Sequence, residues 1–142
     1  MIRRFKIGDE KAIALLEKEC FSSPWSEDSI LSSSKGDTVF FVAEEDELLG
    51  YAGIQVVLSE GYITNIAVTA SARGKGIGTG LVNALIDFGK EKGLEFISLE
   101  VRESNASAIS LYTKSGFQNV GKRKNFYTHP TEDAIIMTKE FN

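Results

Sequence analysis

A mixed α/β fold, one central sheet of about seven strands with about four helices on its two faces, is the class this sequence predicts. Strand-like and helix-like runs alternate along the whole chain, and the clearest helix is entered through a glycine-rich turn directly after a strand. The length sets the domain count: 142 residues bury one good core, so a single domain over residues 1–142 is expected.

Residues 2–7 alternate loosely as a short strand. Asp9 is placed to cap a helix whose Ile13, Leu16 and Cys20 recur at helical spacing, which assigns Cys20 to the core. Residues 21–34 are serine-rich and hold Pro24 and Trp25; they read as a loop with a short helix near 27–32 and no regular core element. Runs 38–43 and 48–57 are strands of a hairpin turned by acidic residues, and a third strand follows at about 61–68. From Gly76 the positions Ile77, Leu81, Val82, Leu85 and Ile86 trace one helical face, which ends between Gly89 and Gly93. Residues 96–101 form a strand, Asn105 caps a helix carrying Ala108, Ile109 and Tyr112, and Gly116 stops it. Strands near 117–127 and 133–140 close the order βααβββαβαββ.

Hydrophobic residues make up 42% and charged residues 25%, the balance of a chain that folds throughout. A net charge of −4 supplies no basic field for nucleic acid, and the triplet Lys122, Arg123 and Lys124 reads as a solvated edge. Cys20 is the only cysteine, so no intramolecular disulfide forms. The first residues lack the apolar stretch of a signal peptide, and no run approaches the roughly 18 apolar residues of a membrane span. A cytoplasmic protein without a membrane partner is expected; between a monomer and a weak dimer the sequence does not choose.

The turn Arg73, Gly74, Lys75, Gly76, Ile77, Gly78 and Thr79 has what an anion site needs. Glycines let the backbone come close, the first-turn amides of the helix are unpaired, and the helix dipole favours negative charge. A dinucleotide-binding GxGxxG is excluded because Thr79 or Leu81 stands where its third glycine belongs. A P-loop is excluded because Gly76 follows Lys75 where Ser or Thr is required, and Thr69 replaces the first glycine. The spacing matches RxxGxG, the acetyl-CoA signature of the GNAT superfamily of N-acetyltransferases, which the chain resembles over nearly its full length.

Within that superfamily it resembles the RimI-like group, which acetylates the N-terminal alanine of a small-subunit ribosomal protein. The matching stretches are residues 24–26, 55–58, 65–68, 99–112, 116–117 and 132–137. The resemblance implies the GNAT fold and acetyl-CoA as co-substrate. It also implies that the stretch Ile66, Ala67 and Val68 lies along the pantetheine, with backbone groups of Ile66 and Val68 facing it. Residues 73–79 would then surround the pyrophosphate mostly through amides, and Asn105 would contact the cofactor besides capping its helix.

Acetyl transfer from a thioester to an amine demands an unprotonated amine, a polarised carbonyl and a sulfur that can leave. Glu100 shares a strand face with Phe96 and Ser98 and falls at the strand's end, where α/β sites open. Tyr112 follows Ala108 and Ile109 along the packed side of its helix, as a core tyrosine also would. The resemblance makes Glu100 the base and Tyr112 the general acid toward the CoA sulfur. An α-amine titrates near ~7.7 to 8.0 and a lysine near ~10.4, so a carboxylate base suits an N-terminal amine better. A protein lysine, a polyamine or a small molecule remains an alternative acceptor, and a non-catalytic acetyl-CoA-binding module an alternative class.

Cys20 and His129 are the only residues of their kinds, too few for a zinc site, so no metal is expected, and His129 beside Pro130 is a poor partner for a cysteine nucleophile. For the substrate side the resemblance points to Trp25 as a wall of the groove, although Trp25 equally reads as an anchor for the serine-rich loop. It also points to Tyr127, where the family often carries two adjacent tyrosines and this chain has Phe126 and Tyr127.

Overall fold

The computed structural model describes residues 1–141. Alternating apolar residues put one side chain in two on each face of the pleat, and the strands they form join a single seven-stranded sheet. The strands are β1 (Ile2–Arg4), β2 (Thr38–Glu44), β3 (Leu48–Val57), β4 (Glu60–Val68), β5 (Phe96–Arg102), β6 (Gln118–Thr128) and β7 (Thr131–Glu140). Their order across the sheet is β1-β2-β3-β4-β5-β7-β6. Every neighbouring pair is antiparallel except β4 with β5.

Helices α1 (Glu10–Cys20) and α2 (Glu27–Ser34) cover one face, α3 (Ile77–Lys92) and α4 (Ala106–Lys114) the other. On the first face Ile13, Leu16 and Ile30 pack with Phe40, Val42 and Tyr51. On the second, Leu81, Val82, Leu85 and Tyr112 pack with Ile54, Ile97 and Leu99. Each such side chain contributes about 1.5–3 kcal/mol by leaving water. The mixed sheet with helices on both faces, the four helices and the seven strands are as the sequence predicts.

Several local details differ. The first strand stops at Arg4 rather than residue 7, and Asp9 holds the N-cap position of α1 without capping it. Its carboxylate is engaged instead by the Arg3 guanidinium at 2.9 and 3.0 Å and by the Lys6 amide at 2.8 Å. Arg3 outcompetes the helix amides because a bidentate charged contact is the stronger one. The serine-rich stretch does contribute to the core: Ser26 caps α2 by accepting from the Ser29 amide at 3.1 Å, and Ile30 is fully buried. Cys20 is only half-buried, because it ends α1 at the rim of a cleft. A 3-10 turn at Ala70–Ala72, which sequence periodicity does not show, links β4 to the glycine turn. Along the outer strand β6, Lys122 lies 3.1 Å from Glu103, a solvated edge as read.

Candidate active site

The parallel pair β4 and β5 is joined only through Glu60–Phe96, Gly61–Ile97 and Tyr62–Ser98. Beyond these three pairs the strands part. The pairing of Ala52 with Ile66 and of Ile54 with Ile63 leaves Thr64 and Asn65 opposite Gly53 alone, a bulge that bends β4 away. Only glycine fits at 53, since a Cβ there would stand 2.5 Å from Thr64 Oγ1 and 2.8 Å from the Phe40 ring. β5 meanwhile stays paired to β7 as far as Arg102. A cleft of about 650 Å³ opens between the diverging strands.

Glu100, Tyr112, Asn105, Ile66, Trp25 and Tyr127 all line this one cleft. The Glu100 side chain is 31% exposed, and Arg123 Nε lies 3.9 Å from its carboxylate. Ser98, one step back on the same strand face, is buried and bonded to Thr138, which leaves Glu100 as the carboxylate of that face at the opening. Tyr112 is 7% exposed, its ring packs against Phe117, and it lines the cleft. Burial, and secondarily Tyr127 beside it, holds the Tyr112 phenol well above its ordinary pKa. It stays protonated at neutral pH and is a weaker acid than a free tyrosine. Asn105 caps α4, accepting from the Ala108 amide at 3.2 Å, while its side chain borders the same space.

Thr69 donates its amide to the Leu49 carbonyl at 2.8 Å, so by alternation Ala67 and Tyr51 form a hydrogen-bonded pair. Ile66 and Val68 then turn their backbone groups the other way, toward the open edge of β4. The Val68 carbonyl already accepts from Arg73 Nε at 3.1 Å. Ala67, between Ile66 and Val68, is 4% exposed, and its backbone groups face β3.

The glycine turn does not line the cleft. Lys75, Gly76 and Ile77 border a separate recess of about 180 Å³ with Met1, Ile2 and Glu44. Gly74 and Gly76 have φ of +79° and +81°, and a Cβ on either would meet nothing within 4 Å, so the backbone there faces open space. α3 begins at Ile77 with no side-chain cap, which leaves the first-turn amides of Ile77, Gly78 and Thr79 free for an anion.

On the other wall Trp25 both borders the cleft and packs edge-on against Phe40, with ring centroids 6.4 Å apart. Tyr127 stands beneath the Arg102 guanidinium, and burial together with Glu100 nearby raises its phenol above the ordinary value. Phe126, 44% exposed, also lines the cleft. Sequence reasoning passed over Asn65 and Glu17. Glu17 is fully buried and accepts from Tyr51 Oη, from Asn65 Nδ2 at 3.0 Å and from the Trp25 amide at 2.9 Å. The signal for it was its position four residues after Ile13, on the apolar stripe of α1 where a charge is out of place.

Among the described residues no group of three or more His, Cys, Asp or Glu side chains gathers as a metal site requires. Nor is any helix among them long and apolar enough to cross a membrane.

Residues 10–117 match the model of the acetyltransferase (GNAT) family. The chain is 38% identical over 144 residues to a Bacillus subtilis (strain 168) protein provisionally named a ribosomal protein bS18-alanine N-acetyltransferase, covering 99% of this chain and 95% of that one. It is 38% identical over 140 residues to the ribosomal protein bS18-alanine N-acetyltransferase of Escherichia coli (strain K12), covering 96% and 94%. The crystal structure of an Escherichia coli enzyme so named superposes with a TM-score of 0.90 at 35% identity, covering 99% of this chain and 92% of that one.

Proposed function

The chain belongs to the acetyltransferase (GNAT) family, and from that premise we propose that it transfers the acetyl group of acetyl-CoA to the N-terminal α-amine of an alanine on a small-subunit ribosomal protein. The observation that carries this reading is the convergence of Glu100, Tyr112, Trp25 and Tyr127 on the one cleft that the parting of β4 and β5 creates. The names of the full-length relatives supply the acceptor.

Acetyl-CoA brings an activated thioester. The pantetheine lies along the open edge of β4, bonded to the backbone groups of Ile66 and to the Val68 amide, the Val68 carbonyl being held by Arg73. The pyrophosphate sits on the amides of Ile77, Gly78 and Thr79, where Gly74 and Gly76 allow close approach and Arg73 and Lys75 add positive charge. Glu100 takes a proton from the incoming ammonium and so exposes the nitrogen lone pair. The nitrogen attacks the thioester carbon directly, with both substrates bound; the C–N bond forms and the C–S bond breaks. The Tyr112 phenol gives its proton to the departing sulfur, the second proton that the nitrogen sheds on becoming an amide restores the phenol, and the proton held by Glu100 passes to solvent. Trp25 and Tyr127 bound the acceptor's first residues. The reaction proceeds without a metal, and a cytoplasmic site of action fits a ribosomal substrate.

The test offers purified protein acetyl-CoA with three peptides: one with a free N-terminal alanine, one with a blocked N-terminus and an internal lysine, and one with neither amine. Acetylation of the α-amine alone, located by mass spectrometry, is expected. Equal labelling of the lysine in the blocked peptide would assign a different acceptor.

A further inference from the structure

A carboxylate withdrawn from water is costly unless its oxygens are bonded, and an apolar residue of similar volume generally serves stability as well. Glu17, at 0% exposure, therefore calls for an explanation beyond packing. Two of its three donors line the cleft: Asn65, from the bulge in β4, and Trp25, from the loop between α1 and α2. The third, Tyr51, is fully buried and does not line it.

What a carboxylate does that no apolar residue does is fix polarity. Both Glu17 oxygens serve as acceptors, Oε1 for the Trp25 amide and Oε2 for Tyr51 and Asn65, and so Asn65 turns its Nδ2 inward. The Asn65 carbonyl oxygen is then the outward end. It has no partner among the described residues and is not among their sealed unpaired atoms, so it opens on the cleft.

We propose that Glu17 is the positioning residue of the acceptor site. Through Asn65 it presents a carbonyl oxygen to an N–H of the incoming amine or first peptide bond, and through the Trp25 amide it fixes the loop whose indole walls the cleft. Glu17 itself touches no reacting atom. The assignment rests on the acetyl-transfer reading and deepens it by naming what orients the acceptor.

The test compares Glu17→Gln, Asn65→Ala and Tyr51→Phe in the full chain, by initial rates with an N-terminal-alanine peptide and by acrylamide quenching of Trp25, the only tryptophan. Glu17→Gln sets an NH₂ against groups that are themselves donors. It should raise KM for the peptide about tenfold or more while kcat and KM for acetyl-CoA stay within about threefold, and should increase Trp25 quenching about twofold. Asn65→Ala should raise the peptide KM alone. Tyr51→Phe should leave both KM values and the quenching as they are. An unchanged peptide KM in Asn65→Ala, or unchanged quenching in Glu17→Gln, would overturn the proposal, and so would Tyr51→Phe reproducing every Glu17→Gln effect. If Glu17→Gln does not fold, Asn65→Ala decides. If the wild type acetylates no peptide, the proposed function fails, and the quenching of Glu17→Gln against Tyr51→Phe still decides the positioning role.

Discussion

The guanidinium carbon of Arg102 lies 4.3 Å over the ring of Tyr127. Arg102 ends β5 two residues beyond Glu100, so this stack ties the strand that carries Glu100 to the aromatic wall on β6. The same fork donates to the Pro130 carbonyl at 2.9 Å, the His129 carbonyl at 3.2 Å and Glu132 at 3.2 Å. A lysine keeps the charge and loses the planar fork. Arg102→Lys is expected to raise KM for the peptide about fivefold and to cost about 1–2 kcal/mol in urea denaturation. An unaltered KM would show that the Tyr127 ring holds its place without the stack.

The two groups assigned to proton transfer separate chemistry from binding. Glu100→Gln and Tyr112→Phe should each lower kcat about 10²-fold, with the dissociation constant for acetyl-CoA within about threefold of wild type by titration calorimetry. Full turnover in either variant would remove that residue from the mechanism.

Gly76 is the left-handed residue from which α3 starts, and no atom crowds its missing side chain. Gly76→Ala therefore tests conformation alone. It should cost about 1–2 kcal/mol of stability and weaken acetyl-CoA binding more than it weakens peptide binding. Equal affinity for the cofactor would place the pyrophosphate elsewhere.

Tyr51 and Tyr112 are both buried, and burial raises both phenols above their ordinary value, with Glu17 adding to the effect at Tyr51 and Tyr127 at Tyr112. In the unfolded chain they ionise near ~10. Below that pH neither state ionises and stability does not depend on them. Above it the unfolded state loses protons that the folded state keeps. Stability should be flat toward pH ~9 and then fall by about 1.4 kcal/mol per pH unit for each phenol. Chemical denaturation from pH 8 to 11, on wild type and on a Tyr51→Phe and Tyr112→Phe double variant, checks this. The double variant should show a shallower decline.

What the sequence discloses and what it hides divide along local and non-local physics. α3 is legible because Ile77, Leu81, Val82, Leu85 and Ile86 keep one period under one neighbour, the sheet. Asn105 is legible as a cap because its amide partner lies three residues ahead. Asp9 misleads because a competitor from another element, Arg3, reaches its carboxylate first. Cys20 misleads for a related reason: helical spacing puts it in line with Ile13 and Leu16, but that line runs out over the cleft. The bulge at Thr64 and Asn65 depends on register against β3, which no window of β4 contains. Glu17 is the intermediate case, visible as an anomaly on its own helix but meaningful only once β4 and the Trp25 loop are beside it.

Two strands that separate after three paired residues give the sheet four margins, the two outer strands and two more facing each other across its interior. The inner margins carry peptide groups with no strand opposite. In the proposed binding mode a pantetheine laid along β4 would take up part of that unmet hydrogen bonding in the manner of a missing strand. Fold and co-substrate are thereby thermodynamically linked: the midpoint of thermal unfolding should climb with the logarithm of acetyl-CoA concentration.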